Sequence, residues 1–288
     1  MTSKAARISP TAHATGYLWY RLGLSTEALV TPEGKRLDRG FRLLTRLTQA
    51  LGGVSLEAMM LARHHGIDAL LMRAIDEGRV TQVIEIAAGL SARGWRMRRR
   101  YGDRLTYVET DLPAMAAEKR RRLQASGLLG ERHRVVELDA LAEDGPQSLA
   151  AVAATLDPAQ GTAVITEGLM NYLAPARADA LWRRIAAVLA RFPTGLYLSD
   201  VYLLHENRNA AMVAFGAILQ VFVRGRMFVH FDTVAQVRQR LAGLGFAEVR
   251  VHATRELPAT CDIARTPGGD RVRILEATRS SATRRESG

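Results

Sequence analysis

The stretch Val80-Thr-Gln-Val-Ile-Glu-Ile86, running into Ala87-Ala88-Gly89-Leu-Ser-Ala-Arg-Gly94, decides the fold. Its first half is short, rich in β-branched residues and without polar alternation, the pattern of a strand buried on both faces. Its second half is made of small residues, so the strand ends in a tight loop that feeds a helix. Upstream, Leu56, Met59, Met60, Ile67, Leu70, Leu71 and Ile75 recur at helical spacing and stop near Gly78. Helix, buried strand, tight loop and helix form the opening unit of a parallel sheet, whose neighbouring strands need a crossover between them.

The unit repeats downstream. Strands are expected at 105–109, 134–138, 162–166 and 196–200, with helices at 113–126, 148–156 and 177–191. Pro113 suits the first turn of its helix, where the missing N–H costs nothing. From His205 the pattern changes: 205–231 is a long, apolar, helical-looking insertion, 234–244 a helix, and 246–252 and 272–277 are strands with no helix between them. The expected fold is a doubly wound, Rossmann-like α/β sheet, mostly parallel, with a C-terminal antiparallel hairpin. Short helices and turns fill residues 1–55, and a lid insertion spans 201–232. One domain covers 1–278, and the polar tail 279–288 is expected to be disordered. An open α/β sheet ending in a hairpin resembles class I methyltransferases more than dinucleotide dehydrogenases, which continue the βαβ pattern to the end.

Composition narrows the class. With 48% hydrophobic and 24% charged residues in 288, the chain is neither disordered nor fibrous. The single cysteine, Cys261, excludes a disulfide framework and a cysteine-based zinc site. No apolar N-terminal run precedes a cleavage site, and the longest apolar stretch, 210–223, is broken by Gln220 and too short to cross a bilayer. A cytoplasmic protein without membrane attachment is expected. The net charge of +11 raises nucleic acid as a partner. However, only Lys4, Lys35 and Lys119 are lysines, and the arginines scatter from Arg7 to Arg285, as compositional bias would place them. The densest cluster, Arg93–Arg104, reads as a solvated helix face, and base-stacking aromatics flanked by glycine are absent from the sequence. Nucleic acid is therefore kept only as a minority partner.

In a doubly wound sheet, ligands sit beyond the carboxyl ends of the strands. The loop from Glu85 to Gly94 lacks the G-x-G-x-x-G spacing of dinucleotide binders, and the chain has no phosphate-binding G-x-x-x-x-G-K-[ST]. Its small residues admit close backbone approach by a ligand carrying a carboxylate rather than a pyrophosphate, or they form an ordinary strand-to-helix turn. Asp111, in Tyr107-Val-Glu-Thr-Asp111-Leu-Pro113, lies about 20 residues past that glycine, where an acid accepts from both hydroxyls of a ribose; the alternative is a helix cap. Asp139 is placed to accept from an adenine amino group, or to shape the turn before Glu143-Asp144-Gly145. Glu167 stands at the mouth of a buried apolar strand, where a carboxylate calls for a ligand or a cation. His64-His65 are adjacent and point to different helix faces, so one packed and one solvated histidine is preferred over a metal pair.

Together these pieces resemble the leucine carboxyl methyltransferase family, which includes polyketide O-methyltransferases. The likeness runs in order from Ser55 to Leu173. It rests on Ala-Arg63-His-His-Gly-Ile-Asp68, Glu85-Ile-Ala-Ala-Gly-Leu-Ser-Ala-Arg-Gly94, Tyr-Val-Glu-Thr-Asp111-Leu-Pro and Thr-Glu167-Gly-Leu-Met-Asn-Tyr-Leu173. It implies an S-adenosyl-L-methionine-dependent enzyme, releasing S-adenosyl-L-homocysteine and needing no metal. By the same resemblance Arg63 pairs with the methionine carboxylate, Gly89 lines the cofactor with Glu85 and Ala87 in its loop, Asp111 holds the ribose, Asp139 lies beside the adenine and Glu167 lies near the methionine part.

The acceptor side carries fewer signals. Residues 10–24, with His13, Tyr17, Trp19 and Tyr20, and the insertion 201–232 are expected to close over the cofactor. The insertion brings Tyr202, His205, Arg208, Arg224, Arg226, His230 and Phe231. The insertion also suits a homodimer interface or plain core. For a hydroxyl acceptor His205 is the candidate base, and for a carboxylate acceptor Arg208 or Arg224 would orient it; Tyr17 and Tyr202 join them as acceptor-side candidates. The expected function is methyl transfer to a hydroxyl or carboxylate of a small molecule. Methylation of a protein or peptide carboxylate, a non-catalytic cofactor-binding protein of the same fold, and nucleic-acid methylation are the alternatives.

Overall fold

A computed structural model of the protein describes residues 10–52, 54–207 and 227–280. Its seven strands are β1 (Gln82–Ile86), β2 (Thr106–Asp111), β3 (His133–Glu137), β4 (Thr162–Thr166), β5 (Thr194–Val201), β6 (Glu248–Ala253) and β7 (Arg273–Ser280). The sheet order is β3-β2-β1-β4-β5-β7-β6. β1, β2 and β3 pair in parallel, as do β4 and β5, whereas β7 is antiparallel to both β5 and β6. The chain divides into two compact units, one made of residues up to Leu44 with Gln82–Thr155, the other of Thr45–Thr81 with residues from Leu156 onward.

The first unit holds β1–β3 with helices α1 (Pro10–Arg21), α4 (Arg93–Tyr101), α5 (Pro113–Ala125) and α6 (Leu149–Ala153). Every residue of β1 is buried, including Gln82 and Glu85, as a strand covered on both faces requires. Pro113 occupies the first turn of α5, and the Ser148 hydroxyl caps α6 by accepting the Ala151 N–H at 3.2 Å. Leu29, Leu90, Met115, Leu123 and Val135 form an apolar cluster here. Helix α2 (Pro32–Gly52) departs from the short helices expected before residue 55. It runs 21 residues, with Pro32 at its first position and Gly40 in its interior. At Gly34 a Cβ would come within 2.6 Å of the His13 carbonyl, so the glycine is what lets that turn close on α1.

In the second unit, α3 (Leu56–Asp76) is capped by Ser55, whose hydroxyl accepts the Ala58 N–H at 3.1 Å. Helix α7 (Pro175–Leu189) packs on β4 and β5, and α8 (Val234–Gly243) on β6. The core centres on Tyr197, stacked on Phe246 at 5.6 Å, with its hydroxyl bonded to Thr166 Oγ1 at 2.7 Å and to Trp182 Nε1 at 3.2 Å. Burial pushes that phenol up to about 12. The strand expected to end at 277 continues to Ser280, held by its ladder to β5 and by Arg279 Nη1 donating to Gly245 O at 2.6 Å. The rest of the expected tail, 281–288, lies outside the described residues. No helix among the described residues is long and apolar enough to cross a membrane.

Candidate functional site

In the first unit, the loop after β1 and the end of β2 are bonded to each other. The Ala88 N–H donates to Thr110 O at 2.9 Å, and the Gly89 N–H to Asp111 Oδ2 at 2.8 Å. The second Asp111 oxygen accepts the Leu112 N–H at 2.8 Å. This turn places Ala87 at φ 55° and Gly89 at φ 51°, both left-handed. Burial pushes the half-buried Asp111 carboxyl above its ordinary range, outweighing the Gly89 and Leu112 bonds and the Lys119 charge. Helix α1 packs on the same loop: a Cβ on Gly16 would stand 2.6 Å from Leu90 Cβ, and one on Gly89 3.4 Å from Ala12 Cβ. On α1, His13 is buried and bonded to Thr31 Oγ1 at 2.9 Å, and the Tyr17 ring lies 6.0 Å from that of Tyr20.

Glu85 is engaged within the protein. Its oxygens accept from Arg93 Nη1 at 2.5 Å and from the Tyr107 hydroxyl at 2.7 Å, with Glu85 and Arg93 both buried. The arginine run is thus only partly a solvated face: Arg99 and Arg100 are exposed, but Arg93 is fully buried against Glu85. An arginine can leave water when a carboxylate takes its charge and hydrogen bonds. Asp139 sits in a turn, where its Oδ1 accepts the Leu141 N–H at 2.8 Å and its carbonyl the Ala142 N–H at 3.0 Å. Glu109 is closed off by Lys119 at 2.6 Å and His133 at 3.3 Å.

In the second unit, α3, the β4 loop and the end of β5 converge on one guanidinium. Arg63 Nε donates to Glu167 Oε1 at 3.0 Å, and its Nη1 lies 3.6 Å from Asp200 Oδ2. Tyr202 is hydrogen-bonded to the same arginine. Burial alone would lower the Arg63 pKa, but Tyr202, Glu167 and Asp200 outweigh it and hold the guanidinium above its ordinary value. Asp200 Oδ1 accepts the Gly168 N–H at 2.7 Å, and burial pushes this carboxyl up despite Arg63. Gly168 has φ 68°. The second Glu167 oxygen meets His64 Nδ1 at 2.9 Å. Of the two histidines, His64 is fully buried and His65 half-buried.

The sequence reading named Arg63, Glu167 and Tyr202, and the structure brings the three together. It missed Asp200, although a carboxylate ending a buried strand is the same signal that singled out Glu167. His205 is exposed on a short turn after β5, its backbone N–H donating to Asp232 O at 3.3 Å. Arg208, Arg224 and Arg226, with most of the insertion, lie outside the described residues. Beyond them, His230 Nε2 donates to Met170 O at 2.8 Å, its ring 5.5 Å from Trp182, and burial lowers its pKa.

Residues 26–186 match the family model described as leucine carboxyl methyltransferase. Two relatives share the name "Putative S-adenosyl-L-methionine-dependent methyltransferase". The one from Mycolicibacterium vanbaalenii is 34% identical over 181 residues, covering 62% of this chain and 57% of its own. The one from Mycobacterium bovis is 35% identical over 128 residues, covering 44% and 40%. The chain therefore spans about half the length of these curated relatives. Among solved structures, a DUF574 family protein from Streptomyces avermitilis aligns over 94% of this chain and 97% of its own, with a TM-score of 0.62 and 12% identity. A "putative methyltransferase" from Thermobifida fusca aligns over 88% and 93%, with a TM-score of 0.62 and 14% identity. At such identities the likeness is one of fold alone.

Proposed function

We propose, from the premise that this chain belongs to the leucine carboxyl methyltransferase family, that it transfers a methyl group from S-adenosyl-L-methionine to a hydroxyl or carboxylate oxygen of a small molecule. The observation that carries the reading is the Gly89–Asp111 hydrogen bond, which locks the glycine turn and the acid into one rigid element. The donor set fits the cofactor. Each Asp111 oxygen is occupied by one backbone N–H, and a carboxylate has about four lone-pair sites, so acceptors remain for two ribose hydroxyls. In the second unit, Arg63 and Glu167 offer opposite charges for the carboxylate and ammonium of an amino acid.

When bound, the cofactor supplies a methyl carbon already activated by its sulfonium. The chain then has to hold, align and exclude water. Asp111 would hold the sugar, and Arg63 with Glu167 would hold the amino-acid end. A hydroxyl acceptor would need a base to take its proton, for which His205, exposed on the turn after β5, is the candidate; a carboxylate acceptor would need orientation only.

Isothermal titration with S-adenosyl-L-homocysteine tests the cofactor, and absence of heat at millimolar ligand would remove the reading. Labelled methyl transfer tests the acceptor. Label in small organic extracts supports this proposal, whereas base-labile label on macromolecules points to a protein carboxylate.

A further inference from the structure

We infer that His64 is a positioning residue for Glu167, holding one carboxylate oxygen so that the other is presented to Arg63. The inference rests on the proposed role of Glu167 toward the cofactor and adds a residue that the resemblance does not assign. His64 is fully buried, and its Nδ1 lies 2.9 Å from Glu167 Oε2, while Arg63 Nε lies 3.0 Å from Oε1. A carboxylate oxygen only accepts, so Nδ1 carries the hydrogen.

Consecutive helical residues diverge by about 100° around the axis, so Arg63 and His64 approach the carboxylate from different directions. A carboxylate bonded on one oxygen can still turn about its last torsion; bonded on both, it cannot. One turn further along α3, the buried Asp68 places Oδ2 3.9 Å from His64 Nε2, an ion-pair distance rather than a hydrogen bond. His65 adds an edge-on ring contact at 6.5 Å. A histidine kept for packing alone would have no need to aim a ring nitrogen at the acid that Arg63 also holds. An apolar side chain would fill the space without the desolvation cost.

The test is titration of S-adenosyl-L-homocysteine into the whole chain and its variants, with thermal denaturation confirming that each is folded. In His64→Asn the amide nitrogen stands near the place of Nδ1. In His64→Gln it reaches the far end of the ring instead, and His64→Leu keeps volume alone. Loss of a hydrogen bond to a charged group should weaken binding about tenfold in the Gln and Leu variants and less than about threefold in the Asn variant. In a Glu167→Gln background, His64→Leu should add no further loss, because the histidine acts through that carboxylate. A packing role predicts the reverse order, Leu tolerated and Asn not. The Gln and Asn pair decides the matter if the Leu variant does not fold. Equal binding by all variants, or Asn as poor as Gln, overturns the inference while leaving the cofactor reading intact. A wild-type protein that binds no ligand overturns both.

Discussion

The Arg63 guanidinium lies flat against Gly168: a Cβ on that glycine would stand 3.1 Å from Nη1 and 3.4 Å from both Cζ and Nη2. Near-equal distances to three guanidinium atoms mean that the face of the group, not its edge, covers the glycine. Its edge is left for Glu167 and Asp200. Gly168 is thus required twice, for its left-handed φ of 68° and for the space above it.

Gly168→Ala should therefore act on both counts. The left-handed torsion should cost about 1–2 kcal/mol of stability. The displaced guanidinium should also lower affinity for S-adenosyl-L-homocysteine by about tenfold. Denaturant unfolding and calorimetry read the two separately, and unchanged affinity would dissociate this contact from ligand binding.

Asp111→Ala removes the acceptor for the Gly89 N–H and the proposed partner of the sugar. Affinity for S-adenosyl-L-homocysteine should fall by about 1–3 kcal/mol, the cost of buried polar partners left unpaired. Equal affinity in calorimetry would move the ribose role away from this residue.

Arg93→Met leaves Glu85 buried with only the Tyr107 hydroxyl for company. Breaking one side of a buried ion pair should cost about 3–5 kcal/mol. The double variant Glu85→Gln with Arg93→Met should recover part of that loss. Urea midpoints measure both.

Glu276 gives the protein an acid-sensitive contribution. Burial would raise its pKa, but bonds from His252 and Arg73 outweigh burial and bring it from 4.5 to about 2. A depressed carboxyl stabilises the fold above the unfolded value and loses that contribution as pH falls through the folded one. Discounted for solvent screening of the partly exposed Arg73, stability should drop by about 1–2 kcal/mol between pH 5 and pH 2 on this account. Glu276→Gln should flatten that part of the pH dependence in thermal melts.

The strands and the loop at Gly89 were legible because buried parallel strands and their terminal turns are local events, written in runs of five or six residues. Asp111 and Glu167 were legible as acids at strand ends. Arg93 was not: its partner Glu85 is eight positions earlier, across a turn, and nothing in an arginine-rich run marks which member leaves water. Tyr202 was legible as a candidate and Asp200 as another acid at a strand end, but their meeting with Arg63 was not, because it depends on β5 and α3 being neighbours, a tertiary fact that no spacing encodes. Helix α2 escaped because Pro32, Gly34 and Gly40 read as turn signals within its span.

Ala87 sits at φ 55°, a torsion that glycine adopts freely and alanine does not. Exchanging it for glycine would relax the folded backbone, while the greater freedom of glycine in the unfolded chain would offset part of that gain. The protein thus accepts local tension where β1 gives way to its loop, and gains a bend already in shape before any visitor arrives.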